Sequence, residues 1–209
     1  MFLIVKSFFG SMRAKLGRLQ FKIFLTRNLP GMYGVLIRSR LMQKHFASAG
    51  ENLKIHEGFR FRNIHKVMVG NSVTIGVNAY IQAGGLIEIG DNSILSPNVS
   101  IWTHHHNYEN VNELIQNQNS HYKNVVIGND VWIGTGSIIE PGSIIGDGAV
   151  IRPGSVIDGK DVKPNTIMAG NPAQKIGNRV NPKNRMKLNI DCDKINIPNN
   201  PQTEEIAIN

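Results

Sequence analysis

The chain has 209 residues, with 23 Lys or Arg, 15 Asp or Glu and a single cysteine. That length fits one folded domain with flanking segments, and one thiol excludes an intrachain disulfide framework. The formal charge of +8 is localised, because residues 1–50 hold nine Lys or Arg and no carboxylate while the remainder is close to neutral.

In the basic arm Phe9, Met12, Leu16, Leu19 and Ile23 recur at three and four residues, with Lys15, Arg18 and Lys22 between them. The spacing predicts an amphipathic helix. Two uses of its apolar face stay open: docking on the protein body, or peripheral contact with the anionic inner face of a cytoplasmic membrane. Lysines and arginines interrupt any run of the roughly 18 to 20 apolar residues that a spanning helix needs. Ser11-Met12-Arg13 is also a poor setting for signal cleavage. No nucleic acid is expected, since no recognised binding motif accompanies the charge. Pro30-Gly31 closes this segment. Val35, Leu36, Leu41 and Phe46 form a second apolar pattern, which predicts a cap over the open end of the repeat domain that begins after residue 50.

In that domain an aliphatic residue returns every sixth position through Val69, Ile75 and Ile81, shifts by two residues across Gly84-Gly85, and continues through Ile89, Leu95 and Ile101. A second run holds its register through Ile127, Ile133, Ile139, Ile145, Ile151 and Ile157. Each hexad supplies one short strand and one turn, three hexads close a triangular coil, and the aliphatic side chains stack inward. Gly90-Asp91-Asn92, Gly128-Asn129-Asp130 and Gly146-Asp147-Gly148 suit the corners, whose backbone β-branched residues resist. Strands of a sandwich come at wider spacing with alternating polarity. The expectation is a mainly β solenoid over residues 51–180, preceded by a helical segment 1–50 and followed by a flexible tail 181–209 that holds Cys192. A lone thiol in such a tail is a poor nucleophile and favours a reducing, cytoplasmic setting.

The beat breaks after Ile101 and resumes near Val125, leaving a loop at about 104–124 that opens Thr103-His104-His105-His106-Asn107-Tyr108. Insertions in a solenoid land on one face and often carry function. Adjacent histidines point in different directions, and no carboxylate or thiolate is spaced to complete a ligand set, so no metal is expected. The readings left open are inert loop residues or a general base, for which an imidazole of pKa about 6.5 is well suited. Asn110, Asn112, Gln116, Asn117, Gln118 and Asn119 make the rest of the loop amide-rich, which suits hydroxyl-rich ligands and is also common in surface loops.

These hexads, of which Ile133-Gly134-Thr135-Gly136-Ser137-Ile138 is one, resemble those of the hexapeptide-repeat acyltransferases. The likeness covers about residues 51–180 and is closest to the O-acetyltransferase branch, which includes galactoside and maltose enzymes and those acting on capsular or lipopolysaccharide sugars. It implies a left-handed parallel β-helix, against the usual right-handed crossover rule. It also implies a homotrimer with active sites between subunits, and acetyl-CoA as co-substrate. The reaction implied is direct transfer to a sugar hydroxyl, with a histidine base and backbone amides at the oxyanion. The register of Ile89-Gly90-Asp91-Asn92 and Ser96-Pro97-Asn98 places the family's catalytic histidine at His106, with His104 as the alternative. Asn107 stands where the family usually has Pro. Asn78 matches an asparagine that touches the acetyl group. Trp132 and Thr135 match positions lining the pantetheine groove, and Pro153 a backbone contact. Lys160 and Lys175 match basic residues near the nucleotide phosphates. Gly170-Asn171-Pro172-Ala173 resembles the turn that ends the repeats beside the coenzyme. Two rival functions remain: an N-acyltransferase on an amino nucleotide sugar, which usually carries an N-terminal βαβ unit not visible here, and a non-catalytic β-helix scaffold.

Overall fold

Strands of two or three residues recur at the hexad period, and each pairs in parallel with its equivalent one coil away. The computed structural model describes residues 15–179; Phe9, Met12, Cys192 and the predicted tail lie outside them. Two helices come first, α1 (Lys15–Thr26) and α2 (Gly31–Gln43). The first coil is β1 (Ser48–Ala49), β2 (Lys54–Ile55) and β3 (Arg60–Arg62), and the second is β4 (Val67–Val69), β5 (Thr74–Ile75) and β6 (Tyr80–Gln82). The third is β7 (Ile87–Ile89), β8 (Ile94–Leu95) and β9 (Ser100–Trp102). A hairpin of β10 (His104–His106) and β11 (Ser120–Tyr122) interrupts the winding there. Winding resumes with β12 (Val125–Ile127), β13 (Trp132–Ile133) and β14 (Ile138–Ile139), then β15 (Ile144–Ile145), β16 (Val150–Ile151) and β17 (Val156–Ile157). It ends with β18 (Asp161–Val162), β19 (Thr166–Gly170) and β20 (Ala173–Asn178), the last antiparallel to β19. The result is a parallel β-solenoid of about six coils with three sheets as its faces.

The inward residues make three continuous stacks. In the second sheet Ile55, Ile75, Leu95, Ile133, Ile151 and Met168 lie in register. Every hexad aliphatic from Val69 to Ile157 is at most 3% exposed. Ala49, Ile55 and Phe61 form an earlier rung of the same stacks. The sequence hid it because Ala and Phe replace the branched aliphatics at its two ends. The early coils also span twenty residues, from Ala49 to Val69 and from Val69 to Ile89, against eighteen from Ile127 to Ile145. The surplus lies at the corner between the third and first sheets.

Corner chemistry follows backbone sign. The corner between the first and second sheets has positive φ at Asn52, Ser72, Asn92, Asp130, Gly148 and Asn165. The next corner has it at Gly58, Asn78, Asn98, Gly136 and Gly154. Only Gly, and to a lesser degree Asn and Asp, enters this region readily. A ladder of side chains runs along the first of these corners. Glu51 N–H donates to Asn71 Oδ1 (2.9 Å), Asn71 N–H to Asp91 Oδ1 (2.6 Å), Asp91 N–H to Asn129 Oδ1 (2.8 Å) and Asn129 N–H to Asp147 Oδ1 (2.7 Å).

The helical segment caps the first coil, as the sequence predicts for Val35 and Phe46, whereas Leu36 of the same predicted pattern is 62% exposed. Leu19, Val35, Met42 and Phe46 are buried and Ile23 packs on the core, so the described part of the α1 apolar face docks on the protein. The edge strand's backbone is satisfied by side chains. Ile55 N–H donates to Ser39 Oγ (3.0 Å), its carbonyl accepts from Arg38 Nε (2.9 Å), and Gly50 O accepts from Gln43 Nε2 (2.7 Å). An unpaired sheet edge is thereby closed.

Candidate active site

The predicted loop is an ordered arm at its base. Its strands pair His104 with Tyr122, His105 with His121 and His106 with Ser120. Buried Thr103 anchors the root: its Oγ1 donates to Gln82 O (2.8 Å) and accepts from Gly85 N–H (2.9 Å), while Asn124 Oδ1 accepts from Leu86 N–H (2.9 Å). A Cβ on Gly84 would lie 2.5 Å from the Tyr122 ring. The irregular Gly84-Gly85 step is thus the seat on which the arm rests.

Alternation along β10 divides the histidines between two faces. His105 turns toward Glu140, with Nε2 to Oε2 at 3.8 Å, and packs on His121, whose Nδ1 lies 2.8 Å from Asn107 Oδ1. His104 stacks on Tyr122 and tilts against Trp102, both with centroids at 5.9 Å. Tyr80 Oη donates to Gln82 Oε1 (2.7 Å), which turns the Gln82 amide nitrogen toward His104 Nε2 at 3.4 Å. That nitrogen is then an acceptor, and His104 Nδ1 is buried without a hydrogen-bond partner among the described residues. Burial, followed by the neighbouring His106, His105 and Arg62, lowers the His104 pKa below the ordinary imidazole value. His106 is exposed, and its Nδ1 lies 3.2 Å from Ser120 Oγ. Of the three histidines, His106 is the exposed one and the one with a side-chain hydroxyl beside a ring nitrogen.

The remaining predicted residues lie elsewhere. Asn78, Thr135 and Pro153 occupy the corner between the second and third sheets, and Gly154 N–H donates to Thr135 O (2.8 Å). Asn78 lines a groove of about 370 Å3 with Arg27, Gly58, Arg60, Tyr80 and Asn98. Trp132, 39% exposed, starts β13 and donates from Nε1 to Ser96 Oγ (2.9 Å). Gly170, Asn171, Pro172 and Ala173 make the turn from β19 to β20, with Asn171-Pro172 cis. Lys160 Nζ bonds Asp158 Oδ1 (2.8 Å) and Ala173 O (2.9 Å), tying that turn to the last full coil and holding the Asp158 carboxyl below its ordinary pKa. Lys175 is exposed on β20. The coil path therefore puts the histidine arm at one corner and Asn78, Thr135 and Pro153 at another. Among the described residues no group of three or more His, Cys, Asp or Glu is arranged to hold a metal.

Two family models match the two sides of the arm: the hexapeptide repeat of succinyl-transferase over residues 66–102, and the bacterial transferase hexapeptide (six repeats) over residues 124–159. Over 139 residues the chain is 32% identical to galactoside O-acetyltransferase of Escherichia coli (strain K12), covering 66% of this chain and 67% of that protein. A solved maltose O-acetyltransferase from Clostridium difficile 630 superposes with TM-score 0.71 at 30% identity, covering 81% of this chain and 91% of that one. The chain belongs to the hexapeptide-repeat acetyltransferases. A galactoside acetyltransferase solved with coenzyme A gives TM-score 0.70 at 30% identity, covering 77% and 78% of the two chains.

As a hexapeptide-repeat acetyltransferase the protein is an enzyme that uses acetyl-CoA, which sets the scaffold alternative aside. Sequence reasoning missed Ser120, Gln82 and Tyr80. Nothing but the hairpin register, which sets Ser120 opposite His106, singles out that serine, and the strand alternation of Tyr80 and Gln82 was the available signal for the other two.

Proposed function

We propose that this acetyltransferase moves the acetyl group of acetyl-CoA to a hydroxyl of a cell-envelope glycan, a capsular or lipopolysaccharide chain or its precursor, with His106 as general base. The observation that carries this reading is the contrast among the three histidines: His106 is exposed with Nδ1 beside Ser120, His104 is engaged with Gln82 and partly buried, and His105 faces Glu140. Relatives named for galactoside and maltose support a sugar acceptor. The basic N-terminal segment favours a glycan held near an anionic membrane.

Acetyl-CoA supplies an activated acyl carbon. Ser120 Oγ accepts a hydrogen bond from the His106 Nδ1–H, which keeps the proton on Nδ1 and leaves Nε2 with a free lone pair. Nε2 takes the acceptor's hydroxyl proton as its oxygen bonds to the acyl carbon, and returns that proton to the departing sulfur as the carbon–sulfur bond breaks. No covalent enzyme intermediate is required. Because Asn78, Thr135 and Pro153 occupy a different corner from the arm, the complete site is assembled between copies in a homotrimer. The outward Ile94 and Trp132, paired in adjacent coils, and the exposed Ile138 support such packing. On this reading the enzyme works in the cytoplasm, the reducing setting that its single cysteine favours.

The test is release of free coenzyme A from acetyl-CoA by wild type, His106→Ala and His104→Ala, with free sugars, polysaccharide fragments and amino nucleotide sugars as acceptors. Release that depends on a hydroxyl acceptor and disappears in His106→Ala is the expected result. Full activity in His106→Ala overturns the assignment of the base, and turnover confined to amino sugars overturns the assignment of the acceptor.

A further inference from the structure

We propose that the outward face of α2 binds the surface of an anionic lipid bilayer. This goes beyond acetyl transfer and stands apart from it. The inner side of α2 is accounted for, with Val35, Arg38, Ser39 and Met42 buried against the first coil. At about 100° per residue, Met32, Leu36, Arg40, Tyr33, Lys44 and Ile37 fall in that order within an arc of about 140° on the other side. Met32 is 64% exposed, Tyr33 83%, Leu36 62% and Ile37 42%, and Arg40 and Lys44 are exposed as well. The arc is apolar over the first turns and cationic at its end, with no carboxylate. Phe24 and Leu25 are likewise exposed on α1. A helix apolar on both sides is normally covered, and an apolar surface of this kind marks an interaction site.

Charge decides what covers it. A two-fold contact between identical α2 faces lays the cationic end of each helix on the apolar start of the other when the axis passes near Leu36, or on its cationic end when the axis passes near Lys44. In neither case do residues 1–50 supply a carboxylate to receive Arg40 and Lys44. An anionic leaflet accepts both parts of the arc: Met32, Leu36 and Ile37 enter the acyl boundary, Tyr33 sits at the interface with its hydroxyl toward water, and Arg40 and Lys44 meet the phosphates. The contact lies along the surface, since no helix among the described residues is long and apolar enough to cross a membrane. The face also differs from the amphipathic stripe that the sequence suggested, whose Leu19 and Ile23 pack inward.

The experiment is co-sedimentation of the full chain with vesicles of phosphatidylcholine alone and of phosphatidylcholine mixed with phosphatidylglycerol, at low and high salt. Wild type is compared with Met32→Gln/Leu36→Gln and with Arg40→Gln/Lys44→Gln. Circular dichroism and coenzyme A release are recorded for each, so that loss of fold or of catalysis is told apart from loss of membrane contact. Salt-sensitive binding to the mixed vesicles, weakened roughly tenfold or more in either variant, is the expected result. Wild-type binding in both variants, or no binding by wild type, overturns the proposal. So does a change in oligomeric mass in place of vesicle binding, which identifies the face as a contact between copies.

Discussion

The solenoid wall and the histidine arm are adjacent in the chain and obey different physics. In the wall each inward residue meets its equivalent above and below, so Ile133 stacks between Leu95 and Ile151 and is fully buried. In the arm the histidines are at least partly exposed, and Tyr108, Val111, Leu114 and Ile115 are exposed beyond them. The arm is held at its root by Thr103, Asn124 and the Tyr122 ring over Gly84. Burial is continuous where the repeat is regular, and the proposed base stands where it is suspended.

That division is most sharply tested by His106→Ala, expected to lower kcat/KM by about 10^2 to 10^4 with an unchanged melting temperature. A melting temperature that collapses along with activity shows that wall and arm are not separable. Ile133→Ala acts on the other side of the comparison. Urea unfolding should show a loss of about 2–5 kcal/mol, and a loss well under 1 kcal/mol means that the stacks are not the main source of stability. Asp147→Ala removes one rung acceptor at a corner, for an expected loss of about 1 kcal/mol in the same assay.

The smallest effect concerns pH. The folded-state pKa of His104 is depressed, so the unfolded chain binds its proton more readily. Its contribution is present above the unfolded value of about 6.5 and lost as pH falls from there through the folded value. The melting temperature of wild type should therefore drop on acidification below neutrality, and His104→Asn should flatten that slope; an equal slope in the two proteins removes His104 from the account.

The wall was legible in the sequence because its core residues differ little from hexad to hexad, and a repeated environment leaves a repeated residue. Legibility failed at the first coil, where Phe61 stacks on the next coil on one side only and meets Phe46 of the helical segment on the other. In the arm the histidine triplet drew attention to the candidate site, but no period links His106 to Ser120. Fourteen residues separate them, and hairpin pairing alone brings them together. Gln82 lies a full coil before His104, and its role depends on a side chain that points outward, where the hexad pattern imposes nothing. The outward face of α2 was obscured for the opposite reason: apolar residues on both sides of a helix leave little periodic contrast.

The corner ladder has a direction. Each rung is donated by the backbone of one coil and accepted by the side chain of the next, from Glu51 through Asp147. The following coil places Pro164 against Gly146 at the corresponding position, and proline brings no side-chain acceptor. As the chain emerges during synthesis, each corner from Glu51 to Asn129 waits for its successor before its amide is satisfied, and Pro164 issues no such invitation. Shortening the solenoid from its C-terminal end strips acceptors from the coil left behind, whereas shortening it from the other end removes only donors. The spine is a one-way zipper with its stop written in the sequence.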